Sequence, residues 1–273
     1  MTLPNLIDIG VNVLNSAFDH DREEVLAAAW AAGVQTLIIT GSSIAGSAAA
    51  AAFAQSIVPP ARPNCFATAG VHPHNAKDWD AAAPAQLREL VLSAPAAIVA
   101  IGECGLDYNR NFSPPEAQRT SFEEQLAIAA QLGKPVFLHE RDAFDDFSSI
   151  LKQYRTSLPG AVVHCFTGGQ AELEAYLAMD CYIGITGWVC DERRGSHLIP
   201  LLRQIPADRL LLETDAPYLL PRNVSRAARG KSSRNEPRFL PHIAAFAAEI
   251  LGKAPEQTAA ETSANAARLF GLH

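Results

Sequence analysis

Eight short runs rich in Ile, Val and Leu, at residues 6 to 12, 36 to 40, 65 to 70, 97 to 103, 135 to 139, 161 to 166, 181 to 187 and 210 to 215, alternate with segments that carry helical signals. Runs this short and apolar suit parallel strands covered by helices on their outer face. Their alternation over 273 residues predicts an α/β fold, a (β/α)8 TIM barrel of the usual ~250 residues, with residues 1–273 as a single domain. Ser113-Pro114-Pro115-Glu116 reads as a helix start, with Ser as cap, Pro at the first helical position and Glu completing a capping box; that helix should end near Gly133. Ala45 to Ala54 reads as an ordinary outer helix, since Ala is the strongest helix former.

Four of these strands carry, at their last residue or two before it, a side chain able to ligate a metal: Glu103, His139, His164 and Asp215. In a barrel, residues at strand ends build the active site on one rim. Spacings of 36, 25 and 51 residues exclude one helix or hairpin and suit one or two βα units per step. Hydrolysis at neutral pH needs a nucleophile better than water and relief of charge on the electrophile, which one or two divalent cations supply. Glu103, His139 and His164 can hold such a cation, and Asp215 can ligate it or take the proton of the attacking water. A metal-dependent hydrolase follows. Glu213 shares the parity of Asp215, so it should lie one layer beneath it, as a buried structural acid or a partner of a ligand.

A net charge of −7 excludes a broad basic surface that coats nucleic acid but leaves room for a local basic rim. Five cysteines without a C-x-x-C pair give neither a disulfide framework nor a zinc-finger spacing, and fit a reduced, cytoplasmic protein. The N-terminus does not read as a signal peptide, and no run approaches the ~18 apolar residues of a membrane span. Cys104 and Cys165 each follow a candidate ligand, and strand alternation should turn both outward beneath the helices. Arg222, Arg226, Arg229, Lys231, Arg234 and Arg238 crowd the segment after the eighth strand, where barrels often bind phosphate. Arg226, Arg229 and Lys231 are the expected nucleic-acid contacts. Arg141 repeats the parity of His139 and should reach a phosphate from the rim. Trp188, beside Arg193 and Arg194, is the favoured aromatic for stacking on an unpaired base.

The ordered motifs Asp8-Ile-Gly-Val-Asn12, Ala69-Gly-Val-His-Pro-His74, Ile101-Gly-Glu-Cys-Gly-Leu-Asp107, Pro135-Val-Phe-Leu-His139, His164-Cys-Phe-Thr-Gly168, Tyr182 to Gly195 and Glu213-Thr-Asp-Ala-Pro-Tyr218 run nearly end to end. Together they resemble the TatD family of metal-dependent deoxyribonucleases, among the amidohydrolase-like TIM barrels. The resemblance implies a monomeric nuclease on single-stranded nucleic acid, DNA first and RNA second, working as a 3′-to-5′ exonuclease. It implies that His72 donates to a substrate phosphate, with Asn12 among the substrate-binding groups. It also implies magnesium, with manganese second and zinc behind both, although two imidazoles by themselves suit softer ions than magnesium.

One departure stands out. Much of the wider family ends its first strand in a His-x-His pair that ligates one of two metals, and this chain has Gly10 and Asn12 there. One firm metal at Glu103, His139 and His164, with a second recruited only with substrate, is the expectation. Two rival readings stay open: a barrel hydrolase of an amide, lactone or aminoacyl ester, and a metal-free binding or scaffold barrel.

Overall fold

The structure is a computed structural model and describes residues 2–3, 5–57, 61–230 and 232–272. Eight parallel strands lie side by side in sequence order: β1 (Leu6–Val11), β2 (Val34–Ile39), β3 (Asn64–Ala69), β4 (Ile98–Asp107), β5 (Val136–Arg141), β6 (Ala161–Val163), β7 (Tyr182–Ile185) and β8 (Leu210–Leu212). The helices are α1 (Arg22–Ala31), α2 (Ile44–Ser56), α3 (Ala83–Ser93), α4 (Pro115–Leu132), α5 (Phe144–Tyr154), α6 (Gln170–Ala178), α7 (Leu198–Leu202), α8 (Arg226–Arg229), α9 (Leu240–Leu251) and α10 (Pro255–Phe270). The expected TIM barrel is the fold, and each of the eight expected strands overlaps an observed one.

Alternation along the strands separates two apolar layers. Leu37, Ile39, Ile101, Leu138, Val163 and Leu212 face outward into the shell beneath the helices. Ile9, Ile38, Val99, Phe137, Val162, Tyr182 and Leu211 fill the barrel interior, where Ala266, Leu269 and Phe270 of α10 pack against them. The interior is therefore a packed core with polar groups confined to its rim.

The seam between β8 and β1 is closed differently from the other seven. Asp215 N–H donates to Gly10 O at 2.9 Å and Asn12 N–H to Ala216 O at 2.8 Å. Between them the buried Asp8 carboxylate accepts from Thr214 N at 2.9 Å and from the Thr214 hydroxyl. Burial pushes Asp8 up to about 8 even though the bonds from Thr214 favour its charged form. Two backbone bonds and one buried side chain thus close the ring where no regular ladder forms, and they fix the rim that carries Asp215.

Two local expectations need correction or confirmation. Helix α4 ends at Gly133, left-handed at φ 62°, as expected, but the capping box at its start does not form. The Ser113 hydroxyl instead accepts from Lys77 N at 3.0 Å and donates to His74 O at 2.9 Å, tying the loop after β3 to the loop after β4. Helix α2 is an ordinary outer helix, as expected, capped by Ser43, which accepts from Gly46 N at 3.0 Å.

Candidate active site

The C-terminal rim of the barrel encloses a cavity of about 720 Å³ lined by, among others, Asn12, His72, Glu103, His139, His164 and Asp215. Glu103 is its centre. Gly102 precedes it with φ 139°, and a Cβ there would overlap Phe137 O, so only glycine lets β4 approach β5 this closely. That approach brings Glu103 Oε1 to 2.8 Å from His139 Nδ1, 2.8 Å from His164 Nε2 and 3.2 Å from His72 Nε2.

The outward-facing nitrogens bear on which ring nitrogen a cation could claim. His164 Nδ1 faces the buried Glu213 at 3.3 Å; with a proton kept there, the Nε2 proton shared with Glu103 is the one a cation could displace. His139 Nε2 faces Asp107 Oδ2 at 3.5 Å. That nitrogen is buried and has no hydrogen-bond partner among the described residues, and with a proton there the Nδ1 proton shared with Glu103 is the one a cation could displace. His72 is arranged the other way. Its Nδ1 accepts from His74 N at 3.0 Å, so the neutral ring carries its proton on Nε2 and presents a donor to the cavity.

Electrostatics follow from this crowding. Burial alone would raise Glu103, but the charges of His72 and His164 and the hydrogen bonds from His139 and His164 hold it well below the carboxylate range. Burial opposes charge on His139 and His164, yet the facing carboxylates, Asp107 and Glu103 for the first and Glu103 and Glu213 for the second, raise both. Burial lowers His72, and Glu103 offsets it only in part. Once those bridging protons are displaced, a nitrogen of His139, a nitrogen of His164 and a carboxylate oxygen face one another beside the unpaired His139 Nε2, and a divalent cation fits that donor set. The described residues whose ligand atoms all lie within 4.8 Å of one another are His72, Glu103 and His139, so this grouping holds His72 where the sequence expectation has His164.

Asp215 stands apart from this cluster. Its Oδ1 accepts from Asn12 Nδ2 at 3.0 Å, and its backbone is left-handed at φ 53°, a strained conformation for a residue other than glycine. Burial, with smaller contributions from Glu103 and Glu213, pushes it up to about 7. Asn12 therefore orients an acid of the rim.

A family model for TatD related DNase matches residues 7–271. The chain belongs to this family. Relatives named 3′-5′ ssDNA/RNA exonuclease TatD include one from Cronobacter sakazakii, 54% identical over 97% of both chains, and one from Edwardsiella piscicida, 52% identical over 98% of this chain and all of that one. YJJV, a TatD homolog from Escherichia coli K12, superposes with a TM-score of 0.88 at 27% identity, covering 98% of this chain and 99% of that one. A TatD family hydrolase from Entamoeba histolytica shares the fold, with a TM-score of 0.85 at 24% identity over 99% of each chain.

The structure gives a steric reason for this TatD family member's departure at its first strand. Glu213 occupies the space where a Gly10 side chain would go: a Cβ on Gly10 would overlap Glu213 Oε2, and one on Gly184 would lie 2.6 Å from Oε1. Glu213 Oε1 also accepts from Cys165 N at 2.5 Å. The acid beneath Asp215 thus takes the place of a side chain from position 10 and orients His164.

Other expected positions divide. Arg141 lines the cavity and donates to Thr167 Oγ1 at 2.7 Å. Trp188 lines it too, with the Arg194 guanidinium 4.4 Å from its ring centroid and that of Arg141 at 5.8 Å. Arg226 and Arg229 sit on α8, outside the cavity lining, and Lys231 lies outside the described residues. The basic crowd is smaller than the sequence implied, because Arg234 makes a bidentate pair with Asp21 at 2.9 and 2.6 Å and Arg238 pairs with Glu236 at 2.7 Å. Cys104 is buried beneath the helices as expected, but Cys165 lines the cavity. Its strand stops at Val163, and at φ 47° Cys165 has left the extended alternation on which the outward expectation rested.

Sequence reasoning missed Asp107, His74 and Phe112 as parts of the site. The Asp107 carboxylate is 2.6 Å from His74 Nε2, and the Phe112 ring meets His74 edge to face with centroids 4.7 Å apart. Asp107 shares the parity of Glu103, which was the available signal, but β4 was expected to stop at residue 103 and continues four residues further.

Proposed function

We propose that the protein is a divalent-metal 3′-to-5′ exonuclease acting on single-stranded DNA and also on RNA, with the cation held by Glu103, His139 and His164. The observation that carries this reading is the meeting of His139 Nδ1 and His164 Nε2 on Glu103 Oε1, with Glu213 holding the second ring from behind. When bound there, a divalent cation supplies a more acidic water and relieves charge on the phosphoryl oxygens. The protein's own groups do the rest. Asp215, held by Asn12 and placed by burial near neutrality, accepts a proton from the attacking water. His72 Nε2–H and Arg141 bind the non-bridging oxygens as the bond between phosphorus and the 3′ oxygen breaks, and that oxygen departs as a hydroxyl by taking a proton from solvent, to which Asp215 later gives up its own. Asp215 would serve a bound cation as a further ligand.

Magnesium is the proposed ion, with manganese next and zinc behind. Retained waters would complete its shell when bound, since the first strand offers only Gly10 and Asn12. Among the described residues no helix is long and apolar enough to cross a membrane. Five free cysteines suit a reducing cytoplasm, where the protein works as a monomer with its single barrel domain.

End-labelled single-stranded DNA and chelator-stripped protein test this, with Mg, Mn or Zn restored separately. Stepwise shortening from the 3′ end with a restored ion is expected; no shortening with any ion refutes the reading. Arg226→Ala with Arg229→Ala should weaken DNA binding and make the slope of log K against log salt shallower by about 0.7 for each phosphate left without its cation. An unchanged slope returns α8 to ordinary solvated surface.

A further inference from the structure

Among the described residues four large hydrophobic side chains are exposed, Trp30, Leu92, Phe112 and Tyr218, and the last two, 58% and 53% exposed, both line the cavity around Glu103. Exposed aromatics are ordinary when scattered, but two at the mouth of one polar site are not. Neither ring is loose. Phe112 leans edge-on over His74, itself held by Asp107. Tyr218 N–H donates to Asp215 O at 2.9 Å, and its hydroxyl accepts from Asn15 Nδ2 at 3.1 Å. Phe112 follows β4 and Tyr218 follows β8, and in an eight-stranded ring taken in sequence order those strands stand opposite each other. The two rings therefore rise on opposite sides of the cluster, one beside His74 and one beside Asp215. Trp188, the aromatic the sequence favoured, already carries Arg194 on its ring.

We propose that Phe112 and Tyr218 are stacking platforms for two successive unpaired nucleobases, one on each side of the phosphate at the Glu103 cluster. The inference rests on the exonuclease reading and adds what selects the strand. Flat, π-faced surfaces accept any base, so the pair gives affinity without sequence preference. Bases locked in a duplex cannot reach rings on opposite walls, so only a single strand or a frayed end fills both.

The test uses the full chain with its divalent ion and an oligothymidylate whose terminal linkage is a non-hydrolysable methylenephosphonate. It carries 2-aminopurine, whose fluorescence stacking quenches, at the last or the penultimate position. Quenching at both positions is expected in the wild-type protein. Phe112→Ala and Tyr218→Ala should each abolish it at one position and raise Kd about tenfold, as the loss of one stacked base does. Phe112→Tyr and Tyr218→Phe, which keep a ring, should retain it, whereas Phe112→Leu, which keeps apolar bulk without a π face, should lose it. No quenching in the wild-type protein, or quenching that survives both alanine substitutions, overturns the platforms. Quenching with no cleavage of an ordinary linkage under any ion refutes the nuclease reading and leaves the platforms standing; cleavage with quenching indifferent to both residues does the reverse.

Discussion

Glu103→Ala will lower metal-dependent cleavage of single-stranded DNA by at least about three orders of magnitude, a loss of roughly 4 kcal/mol of transition-state stabilisation, while the barrel stays folded. The effect is large because one oxygen serves three neighbours. Oε1 is the point to which His139, His164 and His72 are all directed, so its removal takes away a ligand and the charge that orients the other groups. The fold should survive, because Glu103 belongs to the polar rim and the interior core below it is made of apolar residues such as Ile9, Phe137 and Leu211. Single-turnover cleavage, a metal titration and a melting curve on the same variant check both halves. Cleavage within tenfold of wild type would remove Glu103 from the site, and a collapsed melting curve would make it a structural acid instead.

The fold was legible because a parallel barrel covered by helices leaves a simple trace: eight short apolar runs, each interrupted by a helical segment. Glu103, His139 and His164 could be found because each lies at the end of such a run or two residues before it. What the sequence hid was anything that depended on a partner far along the chain. Arg234 looked like its basic neighbours, and only folding reveals that Asp21, 213 residues away, neutralises it. Asp107 was hidden differently. Gly105 resembles the end of a strand, yet β4 continues through it in register with His139, which carries Asp107 to the edge of the site. Phe112 carried no signal at all, since an aromatic in a loop looks the same whether it packs or faces a cavity. Glu213 was half-legible. Its parity placed it beneath Asp215, but the choice between structural acid and ligand partner dissolves in the structure, where one carboxylate holds both Cys165 N and His164.

The same carboxylate governs the second large effect. Gly10→His, which restores half of the wider family's ligand pair, will destabilise the protein by about 3 kcal/mol or more and lower Tm by roughly 6 to 10 °C, without adding a metal. Glu213 Oε2 fills the volume that a Cβ at position 10 would take, with Phe137 Cζ 3.0 Å from the same point. Neither neighbour has room to yield. Phe137 is fully buried in the barrel interior, and Glu213 is held by Cys165 N on one oxygen and His164 on the other. Displacing Glu213 would leave a buried carboxylate with fewer partners and free His164 to rotate away from Glu103, so cleavage should fall along with stability. A second substitution discriminates between this account and simple crowding: Gly10→His combined with Glu213→Ala removes the overlap and should recover part of the lost Tm, but not the activity, because His164 still lacks its anchor. Recovery of full cleavage in the double variant, or an undiminished Tm together with a second equivalent of bound metal in Gly10→His alone, would mean that the first strand can still host the missing ligand and that Glu213 does not exclude it.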